Sequence, residues 1–399
     1  MKKVHSMVAL ISLLAGTVLT LPGCSLPMRQ AAVPQAWSEQ AEVVGLPGVR
    51  YVVRAEMPEF ARDGIESFYR ERAYLAAQGQ DVSLLPANFL ALSGGGDNGA
   101  FGAGLLCGWT EVGNRPEFKG VTGISTGALI APFAFLGSKY DFVLQSVYTQ
   151  STPKDILEER NILAALFDDA LADNTPLQRL VKKYITEDML KEIAQEHARG
   201  RLLLIATTNL DARQSVIWNM GRIAASGHPE ALALFHKILL ASAAIPGAFP
   251  PVMIDVEADG QRYQEMHVDG GAMAQAFLYP PAIKVADISK QHGVVRERRL
   301  YIIRNARLDP DWAEVERRTL SIASRAITSL IHTQGIGDLY KIYAQTQRDG
   351  IDFNLAYIPE SFNAPHKEEF DTEYMRQLFQ VGYDLAVKGY QWGKLPPGL

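Results

Sequence analysis

A serine flanked by glycines is the first feature of the sequence that suggests chemistry. The pattern G-x-S-x-G occurs in Gly123-Ile124-Ser125-Thr126-Gly127, between an apolar segment predicted as a strand and one predicted as a helix. At such a turn the serine backbone is strained, and only glycines two residues away leave room for it. The helix N-terminus favours negative charge near the serine oxygen. The pattern predicts a nucleophile at Ser125, although an ordinary glycine turn would also explain it.

A glycine-rich stretch precedes this motif by about thirty residues. Its sequence is Ser93-Gly94-Gly95-Gly96-Asp97-Asn98-Gly99-Ala100, and it lies between a predicted strand at 88–93 and a predicted helix at 99–110. Glycines in this position can direct successive N–H groups at an anion, as the oxyanion of a tetrahedral intermediate requires. We therefore expect an oxyanion hole in this glycine loop.

The glycine loop also satisfies the dinucleotide-binding pattern G-x-G-x-x-G, through Gly94, Gly96 and Gly99. That function requires an acidic residue roughly 20 residues further on, at the end of the next strand. The sequence has Lys119 at this distance and Ser125 after the strand. The dinucleotide alternative is therefore disfavoured.

An aspartate followed by two glycines ends a further predicted strand, 263–268. The segment is His267-Val268-Asp269-Gly270-Gly271. Alone, such an aspartate usually forms a turn. A serine nucleophile needs a base, however, and a carboxylate within hydrogen-bonding reach can serve. Asp269 is therefore the candidate base for Ser125.

Short apolar strands alternate with helices along the chain. Strands are predicted at 88–93, 120–123, 201–208, 214–219, 263–268 and, as the last one, 300–304. Helices are predicted at 58–79, 99–110, 126–136 with a kink or break at Pro132, 161–199, 229–244, 312–346 and 370–391. This order is typical of an α/β layered sandwich, with a central, mostly parallel sheet flanked by helices and followed by C-terminal helices. A right-handed crossover would place the glycine loop and Ser125 at the same sheet edge.

Composition excludes several classes of protein. The chain has 399 residues, of which 47% are hydrophobic and 21% charged, so a disordered or fibrous protein is excluded. A net charge of −5 and the lack of a basic run disfavour a nucleic-acid partner. Two cysteines cannot form a disulfide framework, and Cys107, in an apolar segment, is predicted to be a buried, inert thiol.

The N-terminus has the pattern of a targeting segment. Lys2 and Lys3 precede an apolar run from Met7 to Leu21 that is short for a membrane span. The following Leu21-Pro22-Gly23-Cys24 resembles the lipobox of bacterial lipoproteins. That resemblance implies cleavage before Cys24, acylation of Cys24, and anchoring in the bacterial envelope, in the outer membrane facing the periplasm. A plain secretory peptide or an N-terminal membrane helix is the alternative.

The glycine loop, G-x-S-x-G and D-G-G, in this order, resemble the patatin-like phospholipase family. Segments 174–177, 205–210 and 241–251 are also similar to the family, so the resemblance spans about 88–305. It implies hydrolysis of lipid acyl esters, including phospholipids, with no metal or other cofactor.

The resemblance assigns roles by position. It implies a dyad of Ser125 as nucleophile and Asp269 as proton acceptor, without a histidine. The oxyanion and substrate would be held by Gly94, Gly95, Gly96, Gly99 and Thr126, with the N–H groups of Gly95 and Gly96 as main donors. The motif glycines are Gly123, Gly127, Gly270 and Gly271. Asn98 departs from the family, which commonly has Arg or Lys there; this weakens a phospholipid relative to a neutral lipid or lysolipid.

Two other functions remain open from the sequence. A Ser-His-Asp triad would use His292 or His332, whereas His267 and His236 are interpreted as structural. A catalytically silent envelope lipoprotein that uses the scaffold for binding is the second alternative. Five apolar residues are candidates to line an acyl slot, although the core interpretation is favoured for each: Phe249, Met253, Met266, Val268 and Phe277.

The predicted domain organisation follows from these segments. It is a signal peptide at 1–23, a lipid-anchored tether at 24–48, a helical lead-in at 49–87, a patatin-like catalytic domain at 88–305 and a helical C-terminal extension at 306–399. The expected partners are a lipid or lysolipid substrate and the membrane surface reached through the N-terminal anchor.

Overall fold

The computed structural model of the protein describes residues 28–80, 85–159 and 169–399. The predicted signal peptide and Cys24 lie outside the described residues. Within the described ranges, every helix is too short or too polar to cross a bilayer.

The described elements alternate between strands and helices, as the sequence predicts. The strands are β1 (Glu42–Val43), β2 (Arg50–Val52), β3 (Ala87–Leu92), β4 (Gly120–Gly123), β5 (Glu158–Glu159), β6 (Ala172–Asp173), β7 (Leu202–Asn209), β8 (Gln214–Asn219), β9 (Val252–Ala258), β10 (Gln261–Asp269), β11 (Arg298–Arg304) and β12 (Asp352–Tyr357). The helices are α1 (Pro58–Ala77), α2 (Gly99–Glu111), α3 (Thr126–Leu136), α4 (Asp141–Gln150), α5 (Thr175–Tyr184), α6 (Glu187–Ala198), α7 (Met220–Ala225), α8 (Ala231–Ser242), α9 (Val285–Gln291), α10 (Thr319–Asp349) and α11 (Thr372–Val387).

One large sheet organises the molecule. Its order is β1-β9-β10-β7-β4-β3-β11-β12, and β8 pairs with both β7 and β2. The central strands β7, β4, β3, β11 and β12 are parallel, whereas β8, β9 and β10 join antiparallel. The predicted α/β fold with a mostly parallel central sheet is confirmed.

The sheet separates two apolar layers. Successive side chains of β7 alternate between them: Leu203 and Ile205 pack in one layer, and Leu204 and Ala206 pack in the other. This alternation is what a strand buried on both faces requires. Adjacent strands β3 and β4 are in parallel register, with Leu92 opposite Gly123. The glycine loop and Ser125 therefore start from the same edge of the sheet, as expected.

The C-terminal segment is not purely helical, in contrast to the prediction. Residues 300–304 do not form the last strand, because β12 pairs in parallel with β11, Arg299 opposite Asp352. Helix α11 packs closely against α2: a Cβ added at Gly108 would overlap the carbonyl oxygen of Tyr383, and one added at Gly382 would overlap that of Phe101. Residues after 306 thus complete the sheet and one helical layer.

The predicted tether at 24–48 is also corrected over its described part. Strand β1 pairs with β9, and Val43 and Leu46 are buried in the core. Arg29 donates to both carboxylate oxygens of Asp211, at 2.8 and 2.7 Å, and to the carbonyl oxygen of Gln264 at 2.6 Å. The chain is therefore attached to the domain from Arg29 onward.

Helix α3 continues through Pro132 to Leu136, so the predicted break is absent. Proline costs a helix one backbone hydrogen bond and some strain. Residues of α3 from Thr126 to Phe135 are almost all buried, and their packing offsets this cost.

Candidate active site

Ser125 occupies a strained turn between β4 and α3. Its backbone angles are φ 55° and ψ −125°, a conformation that residues other than glycine rarely adopt. A Cβ added at Gly123 would lie 2.5 Å from the carbonyl oxygen of Gly127, and one added at Gly127 would overlap that of Leu92. Glycine is therefore required at both positions, for the reason that the G-x-S-x-G pattern indicates.

A serine from α8 fixes this turn. The N–H of Ser125 donates to the hydroxyl of Ser242 at 3.0 Å, and that hydroxyl donates to the carbonyl oxygen of Ala206 at 2.7 Å. Ser242 is fully buried. The sequence analysis did not identify Ser242, because its partners come from β4 and β7, far away in the chain.

Asp269 lies beside Ser125 at the end of β10. Its carboxylate accepts the N–H of Gly271 at 2.7 Å, and the Ser125 side chain is near enough to lower the pKa of Asp269. Both residues are buried, with 4% of Asp269 and 7% of Ser125 exposed. Burial raises the pKa of Asp269 to about 7, while the bonds from Ser125 and Gly271 act in the opposite direction. A carboxylate with such a pKa is a far better general base at neutral pH than an ordinary aspartate.

The glycines after Asp269 allow the chain to turn close to β7. A Cβ added at Gly270 would lie 2.5 Å from the carbonyl oxygen of Ala206. One added at Gly271 would lie 2.9 Å from the side-chain nitrogen Nε2 of Gln275. Gln275 in turn donates to the carbonyl oxygen of Gly271 at 2.8 Å. The D-G-G motif thus presents the carboxylate while its backbone packs against the sheet.

The glycine loop supplies fewer amide donors than its composition suggests. The N–H of Gly94 donates to the carbonyl oxygen of Gln275 at 3.0 Å, and that of Gly99 is used within the turn Gly96–Asn98. Within the described residues, the N–H groups of Gly95, Gly96 and Thr126 have no acceptor. Gly96 and Thr126 line the same pocket as Ser125. Gly94 and Gly99 therefore shape the loop, and the other three amides can donate to an oxyanion.

Asn305, which sequence analysis missed, holds the base of the glycine loop. Its N–H donates to the Ser93 hydroxyl at 2.8 Å, its side-chain amide donates to the Ser93 carbonyl at 2.9 Å, and its side-chain oxygen accepts the N–H of Gly102 at 3.1 Å. A Cβ added at Gly95 would overlap the Asn305 carbonyl oxygen. The available signal was its position directly after β11, at the same sheet edge as Leu92.

The C-terminal segment contacts the other side of the loop. His366 Nε2 lies 2.6 Å from Asp97 Oδ2, and that oxygen also accepts the N–H of Phe370 at 3.0 Å. The Tyr374 hydroxyl donates to Asn98 Oδ1 at 2.6 Å. The hydrogen bond with Asp97 raises the pKa of His366. Residues that follow the catalytic segment thus stabilise the loop, and nothing local in the sequence indicates this.

An apolar pocket of about 90 Å³ opens beside Ser125. Its walls come mainly from α3, α4, α5 and α8, including Leu129, Phe133, Leu144, Leu177, Val181 and Leu239. Of the five apolar candidates from the sequence, Phe249 lines this pocket, and the other four do not. The pocket has the chemistry of an acyl-chain site.

The histidines proposed for a triad lie elsewhere. His292 Nδ1 is 3.1 Å from the Tyr69 hydroxyl, and His332 is close to Arg304 and Asp309. His267 bonds to Thr207 and Glu265, and His236 to the carbonyl oxygen of Ile185, so both are structural. Among the described histidines, none bonds to Ser125 or Asp269.

Cys107 is half-buried, and its Sγ lies 3.6 Å from the Asp141 carbonyl oxygen. Burial raises the pKa of the thiol to about 12, so it is protonated at neutral pH and unreactive, as predicted. The described part of the chain holds no cluster of three or more potential metal ligands.

Comparison with known families decides the identity of this site. The family model described as patatin-like phospholipase matches residues 90–281, a segment that contains both Ser125 and Asp269. Residues 90–281, just under half of the chain, are thus similar to the patatin-like phospholipase family. This similarity supports a lipid acyl hydrolase.

Two solved structures are similar to this chain at low identity. VipD from Legionella pneumophila is 10% identical, with 77% of this chain and 68% of VipD covered and a TM-score of 0.38. Human GIVD cytosolic phospholipase A2 is 9% identical, with a TM-score of 0.37. In that case 82% of this chain and 65% of the human chain are covered, less than two thirds of the human chain. No curated protein matches the sequence significantly.

Proposed function

We propose that the chain hydrolyses acyl esters of membrane lipids, as a phospholipase A or lysophospholipase, through a Ser125–Asp269 dyad. The observation that supports this most directly is the position of Ser125 beside a buried Asp269 whose pKa is raised to about 7. Gly96 and Thr126, whose amides have no acceptor among the described residues, line an apolar pocket together with the same serine.

The chemistry requires only groups of this chain and water. The Ser125 oxygen attacks the ester carbonyl carbon, and its proton passes to Asp269. The N–H groups of Gly95, Gly96 and Thr126 stabilise the oxyanion. Collapse of the intermediate breaks the bond to the alcohol, which takes the proton from Asp269. A water molecule then attacks the acyl-enzyme with Asp269 again as base, and the fatty acid leaves.

The neighbourhood of Asn98 favours a neutral lipid over a lipid with a phosphate headgroup. The side-chain oxygen of Asn98 accepts from Tyr374, so this position supplies no cation to a phosphate group. The imidazole of His366, the basic group at this loop, is engaged by Asp97. A diacyl phospholipid would therefore find no free positive charge from these residues.

A covalent probe tests the dyad. We expect a fluorophosphonate to label the wild-type protein at neutral pH, and Ser125→Ala to abolish labelling. Hydrolysis of a p-nitrophenyl ester should fall by at least ~10³-fold in both Ser125→Ala and Asp269→Asn. Ser146→Ala, which removes a hydroxyl bonded only to Gln150, and Asp255→Asn are matched controls that should keep full activity.

Wild-type turnover by Ser125→Ala or Asp269→Asn would reject the dyad. A large loss in folded His292→Ala or His332→Ala would support a triad instead. Absence of labelling in the wild type would favour the silent scaffold. For the substrate class, a panel of a diacyl phospholipid, its lysolipid and a monoacylglycerol should show the fastest turnover for the monoacylglycerol, which has no phosphate.

We also propose that Cys24 is acylated and anchors the protein in the bacterial envelope, at the outer membrane facing the periplasm. The support is the lipobox-like sequence Leu21-Pro22-Gly23-Cys24 alone. Cys24→Ala is expected to move the protein from the membrane fraction to the soluble fraction of lysed cells, whereas Cys107→Ala should not. Unchanged sedimentation of Cys24→Ala would disprove the anchor.

A further inference from the structure

A second apolar cavity, here called the far-face cavity, lies against the sheet face opposite the Ser125 pocket. Its volume is about 170 Å³, larger than the 90 Å³ of the Ser125 pocket. Helix α1, strands β3 and β7 and the segment after β10 form its walls, with Phe60, Ile65, Phe68, Phe89, Leu202 and Leu278 among the lining residues. Those side chains leave room for an apolar chain.

Most polar groups around this cavity are already paired. The Lys119 ammonium bonds to Glu71 at 2.9 Å, and Arg296 bonds to both oxygens of the same carboxylate at 2.8 and 3.1 Å. The Tyr279 hydroxyl donates to Asp349 at 2.5 Å. One carboxylate, Glu71, thus serves two cations.

Arg298 is the exception among the lining cations. Its guanidinium donates to the Ser289 hydroxyl at 2.6 Å and to the Arg296 carbonyl oxygen at 3.4 Å. Within the described residues, no carboxylate forms an ion pair with it. Burial and the charge of Arg296 lower its pKa, and the charges of Tyr279 and Asp349 offset this only in part. An anion at this point would relieve the excess of positive charge.

We propose that the far-face cavity binds a single-chain amphiphile with an ionised carboxylate, the chemical class of a free fatty acid. The carboxylate pairs with Arg298 beside Ser289, and the acyl chain occupies the apolar walls. Charge complementarity selects an anion over a neutral lipid, because an alcohol or ester would leave the Arg298 charge uncompensated. The size of the cavity suits one chain rather than two.

Some residues of the cavity wall lie a few positions before Ser125 in the chain, although Ser125 itself does not line the cavity. Gly120, Val121 and Thr122 of β4 form part of its wall, and Ser125 follows at the end of that strand. A fatty acid is also what acyl hydrolysis releases. Binding itself does not depend on hydrolysis, because the ligand is not an ester.

A photoreactive fatty acid tests the site on the full chain. After irradiation with a diazirine-bearing fatty acid, we expect cross-links in the peptides that contain residues 60–68 and 278–289, as mapped by mass spectrometry. Oleate should compete at least tenfold better than oleyl alcohol, which has the same chain without the charge. Arg298→Gln should reduce these cross-links at least tenfold and remove the preference for oleate.

Matched variants separate binding from folding. Arg298→Lys keeps the charge and should retain most labelling, and Arg299→Gln, the next residue on β11, should leave it unchanged. Gly64→Trp should fill the cavity and abolish labelling there, because a Cβ at Gly64 meets open space and the residue lines the cavity; Gly64→Ala should not. Cross-links at the Ser125 pocket serve as an internal control. Absence of cross-links at the far-face cavity, or cross-links unaffected by Arg298→Gln, would overturn the proposal.

Discussion

The two apolar cavities of this protein lie against opposite faces of one sheet and differ in how their polar groups are held. At the Ser125 pocket, a strained serine, a buried carboxylate and free amides meet. At the far-face cavity, the described wall consists of helix, strand and loop segments, and among the described lining cations the guanidinium of Arg298 forms no ion pair. The first arrangement can form and break a covalent bond, whereas the second can only select a ligand by charge and shape.

This difference shows where the fold stores strain. Strained backbone at Ser125 persists because Gly123, Gly127 and Ser242 determine the turn from three sides. No residue of the far-face wall requires such support. Substitutions in the two regions should therefore have different consequences, and the five predictions below use that contrast.

The largest effect is expected for Gly95→Ala. The added Cβ would overlap the Asn305 carbonyl oxygen, so the loop must shift and its amides lose their alignment. Loss of one oxyanion donor typically costs on the order of 10²–10³ in kcat, and we expect a reduction of this size in ester hydrolysis. Fatty-acid cross-linking at the far-face cavity should be unchanged; its loss would mean that the two regions are not independent.

The pH dependence of hydrolysis should follow Asp269. Because the base acts when deprotonated and its pKa is about 7, kcat/KM should be constant above pH 8 and fall about tenfold per pH unit well below 7. A profile that stays flat down to pH 5 would show that Asp269 is not the base. Fatty-acid binding at Arg298 should not follow this profile.

The contribution of Asp269 to the stability of the fold should depend on pH in the opposite direction to the rate of hydrolysis. The pKa of Asp269 is about 7 in the folded state and 3.8 in the unfolded state. Its stabilising contribution is therefore fully present below pH 3.8 and is lost as the pH rises through about 7. Asp269→Asn is therefore expected to raise Tm at pH 8 relative to the wild type, measured by calorimetry. An unchanged or lowered Tm there would contradict this.

A smaller effect is expected for His366→Ala. The buried Asp97 would lose its partner at 2.6 Å, and the glycine loop would become less well held. We expect kcat to fall several-fold with KM little changed, because the acyl pocket keeps its walls, and His366→Gln should recover part of the loss. An effect on KM alone would indicate that His366 contacts substrate rather than positioning the loop.

The smallest effect on catalysis is expected for Gly64→Ala. Gly64 is an exposed residue inside α1, and alanine is favoured over glycine in a helix by up to ~1 kcal/mol. The free energy of unfolding should rise by about this amount in denaturant titrations, with ester hydrolysis unchanged. Destabilisation would mean that the wall of the far-face cavity tolerates no added atom at this point.

Local patterns were sufficient where a single segment determines the structure. The apolar runs before Ser93 and Gly123, each followed by glycine, predict β3, β4 and the turn at Ser125, because sterics within a few residues decide them. The predicted helices at 99–110 and 229–244 also form, with ends shifted by at most two residues.

Elements that depend on distant partners were missed. Strand β9 alternates buried Ile254, Val256 and Ala258 with exposed residues, a period-two pattern that is present in the sequence but was not used. Strand β12 completes the sheet only because β11 offers a free edge. Segment 41–46 packs against the domain because β1 pairs with β9, and no change in composition along the sequence indicates this packing.

The site shows the same division. Ser125, Asp269 and the glycine loop follow from motifs and a family resemblance. Ser242, Asn305 and His366 were not predicted, because each acts through contacts more than a hundred residues away along the chain. The use of Gly94 and Gly99 within the loop likewise depends on where their N–H groups find acceptors.

The attachment of Arg29 to Asp211 and Gln264 has a consequence for how this molecule would meet a bilayer. If Cys24 carries acyl chains, four residues lie between it and Arg29, and the two residues are then at most ~18 Å apart along a fully extended chain. Such a short linker would hold the domain close to the lipid headgroups, with the β10 side facing them. The Arg29–Asp211 ion pair, rather than a long flexible linker, would then limit how far the domain can move from its anchor and how much of the membrane surface it can contact.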